Sequence, residues 1–422
     1  MKIAIVGAGA AGCFCAIELK RRLPSVSVDV YEAGPKALAK VAITGGGRCN
    51  LTNSFEGLTS LAQAYPRGDR LMKRLFKSFD HDDTCRWFEN EGVHLVLQED
   101  RCVFPASQDA MEIVGTLLLR MRQEGVSLHC RHKVSGISVC LEGGFAVSFS
   151  PSACPGEKSR PNAAADIVVV TTGGSPKMSG FGMLDGLGLE IVPPVPSLFT
   201  FNLPGDPVRE LMGTVVENAA VSIPGTKFKA SGPLLITHWG MSGPAVLKLS
   251  SHAARHLADC GYSSPLSVDW CGSGEQEVRN MLARLSGGNP QKLVCKVHPE
   301  SIPSRLWEHL VLKSRIRQDT RWTGLGSKSL NRLVNTLVND GYRIQGQSRF
   351  REEFVTCGGV ALSNLDPGTL ECKKIPGLYF AGEVIDVDAV TGGFNLQAAW
   401  TEGYVVARSI AEAIAIPSVS CT

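Results

Sequence analysis

Apolar residues cluster in short unbroken runs at both ends of the chain and recur at helical spacing between them. Residues 3–6 are continuously apolar, a helix-spaced stretch follows as far as Pro24, and a second strand-like run covers residues 26–31. Short apolar runs of this kind read as strands buried on both faces, and strand–helix–strand reads as one βαβ unit. Residues 166–172 (DIVVVTT) form another such strand, ending in Gly173 and Gly174, and residues 378–383 (LYFAGE) a fourth, leading into the helix-spaced AAWTEGYVVARSIAEAI. Residues 70–125 read as mostly helical. Residues 126–134, 137–139 and 145–149 read as strands with a turn at Gly143 and Gly144, and Pro151, Pro155, Gly156 and Pro161 mark a surface loop. The pattern changes after Pro193, Pro194 and Pro196. Short strands such as 219–223 and 234–237 continue to about 275, and residues 276–343 then read as helical, with Leu282, Leu306, Leu310, Leu333 and Leu337 as core positions. The expected organisation is a discontinuous domain of residues 1–193 and 346–422, an inserted strand-rich domain over 194–275 and a helical subdomain over 276–345.

The first turn carries chemistry. Gly7, Gly9 and Gly12 stand in G-x-G-x-x-G spacing between strand and helix, with Ala8, Ala10 and Ala11 between them, and Glu32 follows 20 residues after Gly12. In this setting the first glycine makes a tight turn, the second admits a pyrophosphate and the third lets helix and strand pack closely. The helix start offers N–H groups and positive dipole to phosphates. Glu32 suits an adenosine ribose and disfavours a 2′-phosphate, so FAD or NAD fits better than NADP. The other reading of such a motif is a glycine-rich turn in an unrelated α/β protein.

Composition narrows the class. The 422 residues are 44% hydrophobic and 20% charged, with a net charge of +3, so no dominant electrostatic partner is indicated. No apolar run is long enough for a membrane span, and the fingerprint explains the N-terminus better than a signal peptide does. The 14 cysteines include no C-x-x-C and no Cys/His ligand spacing, which speaks against a zinc site and for reduced thiols in a cytoplasmic setting.

Three further segments stand out. Residues 39–53 (AKVAITGGGRCNLTN) combine Gly45, Gly46 and Gly47 with Arg48, Cys49 and Asn50, a donor-rich loop suited to a charged or planar ligand, or a plain flexible loop. THWGMSGP (237–244) reads as a helix start, with His238 and Trp239 either facing a ligand or packed in place. The helices after 276 carry Arg305, Lys313, Arg315, Arg317, Arg321, Lys328 and Arg332 against Glu308 and Asp319. That face is open to an anionic substrate, nicotinamide nucleotide phosphates, RNA or solvent alone.

Together GAGAAG with Glu32, TGGGRCNLTN, TTGG, THWGMSGP and FAGEVIDVDAVTGGFNLQAA (380–399) resemble the bacterial HI0933-like flavoproteins. These are NAD(P)/FAD-dependent oxidoreductases, also called the aminoacetone oxidase family, and the resemblance spans almost the whole chain. It implies an α/β fold with a glutathione-reductase-like FAD-binding domain built from both chain ends, an inserted β-barrel-like domain and a small helical domain. It further implies FAD at Gly7–Gly12, at Glu32 and at residues 45–50, with Ala33, Lys40, Thr172, Gly173 and Gly174 in the same cofactor set. Val134 would meet the adenine through its backbone, Gly382, Glu383 and Asp386 the ribityl–phosphate part, and Gly393, Phe394, Asn395, Leu396 and Gln397 the flavin. The pyrimidine edge gathers negative charge on reduction, which helix-terminal N–H groups stabilise. One fingerprint rather than two leaves NAD(P)H only a transient role. The expected activity is FAD-dependent oxidation or reduction of an unspecified small molecule, either as a reductase or as an amine-type oxidase. The alternative is a flavin-bound, RNA-associated protein using the basic helices. His238, Asn50 and Cys49 are catalytic candidates by residue type, and no acid–base residue is assigned.

Overall fold

The computed structural model describes residues 1–151, 161–346 and 355–415; most of the proline-marked stretch expected as a loop (152–160) lies outside the described residues. The chain forms two compact units, residues 1–195 with those from 355 on, and residues 196–354. No helix among the described residues is long and apolar enough to cross a membrane.

The first unit is built on five parallel strands, β1 (Lys2–Val6), β2 (Ser27–Tyr31), β3 (Ser127–His129), β4 (Ile167–Val170) and β5 (Leu378–Phe380), in the order β5-β4-β1-β2-β3. Their runs are apolar on both faces because both faces are covered: Ile3, Ile5, Val168, Val169 and Phe380 are buried. Helix α1 (Ala10–Arg22) is buried continuously from Ala11 to Leu19. It packs along α2 (Phe394–Ala415). A side chain at Gly403 would come within 2.7 Å of the Ala11 carbonyl, so this glycine permits the close helix–helix approach.

Several local expectations change. The strand expected over 126–134 is two strands, β3 and Val134–Val139, with Arg131 between them at φ 59°. The chain leaves the parallel sheet there and enters an antiparallel one with Phe145–Phe149 and Ala163–Ala165. Residues 95–97 and 102–105, inside the stretch read as helical, are strands; Cys102–Pro105 is fully buried between Leu95–Leu97 and Thr52–Asn53. Ala39–Gly47 is a helix whose path breaks at Thr44, Gly45 and Gly46.

The second unit holds a six-stranded antiparallel, barrel-like sheet. Its order is Phe201–Asn202, Gly240–Ser242, Lys229–Ile236, Val215–Ser222, Ser263–Asp269 and Asp340–Gln345, and the first and last strands also come together. Helices Glu275–Gly288, Ser304–Lys313 and Ser327–Val338 do not make a core of their own. Leu282, Trp307, Leu310 and Leu333 share one apolar core with Val221, Ile236 and Leu266 of the sheet and with Trp270 just after it, so there is no boundary at 275. Residues 340–345, read as helical, alternate buried and exposed as the closing strand.

Candidate functional site

The loops of interest gather beyond the carboxyl ends of β1, β2, β4 and β5. Gly7 turns at φ 110°, donates its N–H to the Tyr31 carbonyl at 2.8 Å, and leaves no room for a side chain, which would meet the Thr171 carbonyl at 2.5 Å. A side chain at Gly12 would lie 2.1 Å from the Gly7 carbonyl, whereas one at Gly9 would meet nothing within 4 Å. The three glycines therefore divide their work, two allowing packing and one leaving open space. Thr171 donates its hydroxyl towards the Gly7 carbonyl (2.8 Å) and ties the β4 end to this turn. Gly9 begins α1 without a side-chain cap, and the N–H groups of Ala10, Ala11 and Gly12 have no acceptor among the described residues. Glu32 accepts the Ala8 N–H at 2.9 Å and the Gly34 N–H at 2.6 Å, so its carboxylate is held at the strand end beside exposed Ala33. Its carbonyl accepts the His132 N–H at 2.7 Å, two residues before buried Val134.

Residues 44–53 are shaped by left-handed backbone at Gly45, Gly46, Gly47 and Cys49. Gly46 and Gly47 face open space, while Gly45 abuts Asn50 and Phe104. The exposed Arg48 lays its guanidinium 4.5 Å from the Phe104 ring centre and donates to the Gly45 carbonyl at 3.2 Å. Cys49 is fully buried, and that burial pushes its thiol up to about 12. It is a neutral thiol at ordinary pH, which removes it as a thiolate nucleophile. The Asn50 amide donates to the Thr52 carbonyl (3.0 Å) and accepts the Gly393 N–H (3.2 Å).

That contact joins this loop to the start of α2. Tyr65 donates its hydroxyl to the Phe394 carbonyl at 2.8 Å, and the Asn395 amide binds both the N–H and the carbonyl of Ala389. The N–H groups of Phe394, Asn395 and Leu396 have no acceptor among the described residues, since the helix ladder begins with Gln397 N–H on the Gly393 carbonyl at 3.0 Å. Gln397 departs from expectation. Its side chain is fully buried, accepting from Thr52 (2.5 Å) and donating to Thr401 (3.0 Å), so it braces the helix from inside rather than facing a ligand.

At the other strand ends Thr172 is exposed, and Gly173 (φ 77°) is open. A side chain at Gly174 would strike Glu383 and Thr356 at 2.4 Å. Glu383 accepts the Thr356 N–H at 2.7 Å and pairs with Lys40 at 3.2 Å. Asp386 is half-buried, its N–H on the Val360 carbonyl at 3.0 Å. Gly382 donates its N–H to Glu402 at 2.5 Å. Glu402 sits wholly inside, burial raises its carboxyl to about 8, and its second oxygen has no partner among the described residues. Sequence reading missed it. The available signal was an acid in the middle of a mostly apolar helix, between Trp400 and Val405.

His238 belongs to the other unit, where it is exposed and edge-on to Trp239. The basic helical face there is largely paired. Lys313 meets Asp340, Arg317 meets Asp319, Arg321 donates to Gln291 and Arg305 to the Glu210 carbonyl.

Residues 1–409 match the family described as the HI0933-like protein Rossmann domain. The chain belongs to the HI0933-like family. As an HI0933-like protein it is an FAD-dependent oxidoreductase, and its strand-end residues fit the cofactor. Gly9, Gly46 and Gly173 leave space that side chains would fill, and two helix starts present unengaged N–H groups suited to phosphate and to a ring that gains negative charge. The HI0933-like chain is 27% identical over 425 residues to a 3-dehydro-bile acid delta(4,6)-reductase of Clostridium scindens, covering 97% of this chain and 99% of the relative. It is 28% identical over 431 residues to a ribosomal RNA dihydrouridine synthase of Escherichia coli K12, covering 96% and 97%. A solved 3-ketosteroid delta1-dehydrogenase from Sterolibacterium denitrificans aligns with TM-score 0.47 at 13% identity, covering 97% of this chain and 99% of that one.

Proposed function

We propose that this HI0933-like protein reduces a carbon–carbon double bond conjugated to a carbonyl group, with NADH or NADPH as a transient electron donor. The observation that carries the reading is the set of unengaged N–H groups at Phe394, Asn395 and Leu396 beside residues 45–50. A helix start of this kind favours negative charge at a ring edge that has gained electrons. The names of both relatives agree in chemistry. A delta(4,6)-reductase of a 3-dehydro-bile acid and a dihydrouridine synthase each saturate a double bond next to a carbonyl, adding two electrons and two protons.

Bound FAD supplies the two-electron chemistry. Residues Gly7 to Gly12 would cradle its pyrophosphate, Glu32 and Ala33 its ribose, and Val134 its adenine. Gly382, Glu383, Asp386 and Thr172 to Gly174 would line the ribityl–phosphate part, with Lys40 orienting Glu383. Gly45 to Asn50 and Gly393 to Leu396 would hold the ring, and Gln397 would position that helix start from within. The neutral Cys49 thiol argues against disulfide-reductase chemistry. A single fingerprint supports transient rather than resident nicotinamide binding. Reduced thiols such as the buried Cys13 and Cys15 suit the cytoplasm.

The test is an anaerobic visible spectrum with NADH and then NADPH, followed by a conjugated enone or a uracil-containing RNA. Bleaching by one nucleotide and recovery with such an acceptor supports the proposal. Bleaching by an amine and not by either nucleotide would replace it with an oxidase.

A further inference from the structure

The second unit contains a cleft of about 570 Å³ between residues 313–315 and one face of helix Ser327–Val338. Lys313, Arg315, Lys328 and Arg332 line it together with Asn331 and Asn335, and its lining includes no carboxylate and no aromatic ring. Lys313 is already neutralised, 2.6 Å from Asp340. Arg315, Lys328 and Arg332 have no carboxylate partner among the described residues, although most of the neighbouring basic residues do find a partner. Arg332 donates one N–H to the Ser329 hydroxyl at 3.0 Å, and its Nε is buried without an acceptor. The helix starts at Gly326 without a side-chain cap, and its ladder begins with the N–H groups of Ser329 and Leu330 on the Gly326 carbonyl. The N–H groups of Ser327 and Lys328, both at the cleft, thus have no acceptor among the described residues.

Three uncompensated cations and two free N–H groups in one concavity repel one another until an anion enters. The donor set is phosphate-like in its demands. With no ring to stack on, the cleft offers a base or nicotinamide nothing, so its affinity must come from charge. Charge alone holds a polymer of phosphates better than a single nucleotide, because each contacted phosphate releases counterions. We propose that this cleft binds the phosphodiester backbone of RNA. The binding claim stands on the cleft itself. That the bound RNA carries the reducible base rests on the reductase reading above.

The experiment is fluorescence anisotropy of the FAD-loaded protein with a labelled 20-nucleotide oligouridylate, titrated across a series of salt concentrations. Three backbone contacts give a log K against log salt slope of about −2. In the triple variant Arg315→Gln, Lys328→Gln, Arg332→Gln the slope should collapse towards zero, with at least about a tenfold loss of affinity at low salt. The variant Arg315→Lys, Arg332→Lys should keep the slope, since phosphates read the charge. Flavin absorbance and thermal melting report that each variant is folded. A triple variant that binds as the parent does, or a parent without salt-dependent binding, overturns the proposal. So does a triple variant whose only defect is a raised KM for NADPH, which would give the cleft to a free nucleotide. Flavin bleaching without RNA binding removes this proposal alone; RNA binding without any reducible acceptor removes the reductase reading alone.

Discussion

Glu402 makes the stability of this protein depend on pH in an unusual direction. Its carboxyl is wholly buried, and its one hydrogen bond among the described residues is the acceptance of the Gly382 N–H at 2.5 Å. Desolvation disfavours the charged form and outweighs that bond, lifting the group from 4.5 to about 8. In the unfolded chain the same acid ionises in the usual range. Between those limits the folded state holds a proton that the unfolded state has lost, so stability falls as pH rises, by about 1.4 kcal/mol per pH unit where the difference is complete. From pH 5.5 to 7.5 the expected loss from this residue is about 2.5 kcal/mol. Glu402→Gln keeps an acceptor for Gly382 and has no proton to lose. Urea unfolding of both proteins in saturating FAD, followed by circular dichroism across that range, isolates the effect. The variant should gain on the parent as pH rises, by about 2.5 kcal/mol over the interval. A difference that stays flat with pH would refute the reasoning, because it would mean that Glu402 is ionised in the folded protein.

Two other outcomes are expected. Gly12→Ala forces a methyl to within 2.1 Å of the Gly7 carbonyl and should destabilise the fold by about 3 kcal/mol or more, whereas Gly9→Ala should melt as the parent does and lose flavin on dialysis; equal melting temperatures for the two variants would contradict the division of roles. At pH 8 Cys49 should resist iodoacetamide in the folded protein, being buried with its thiol raised to about 12, while exposed Cys260 is modified; mass spectrometry showing Cys49 labelled as fast as Cys260 would sink that assignment.

The signals that the sequence carried reliably were local ones. Gly7, Gly9 and Gly12 followed by Glu32 announce a strand–turn–helix–strand unit because steric needs of the turn act over a few residues. Apolar runs such as residues 3–6 and 167–170 announce parallel strands because burial on both faces removes every polar residue from them. Helix-spaced leucines after 276 likewise announced helices. What those patterns could not say is which partner each face would find. Leu282, Leu310 and Leu333 look the same whether they close a separate helical domain or share a core with a sheet, and here they share it.

The finer assignments were decided by contacts between residues far apart in the chain. Gln397 sits in a motif beside Asn395 and Leu396, but helical geometry turns it inward onto Thr52, 345 residues away. Lys313 reads as one more free cation until Asp340 comes to 2.6 Å, leaving Arg315, Lys328 and Arg332 as the uncompensated set. Glu402 draws no notice in the sequence, and the packing of α2 strips it of water. The sequence by itself determined the cofactor class and the strands that present it, because both follow from local sterics and burial. Tertiary structure alone decided charge state and side-chain direction, because these depend on desolvation and on partners that no local pattern encodes.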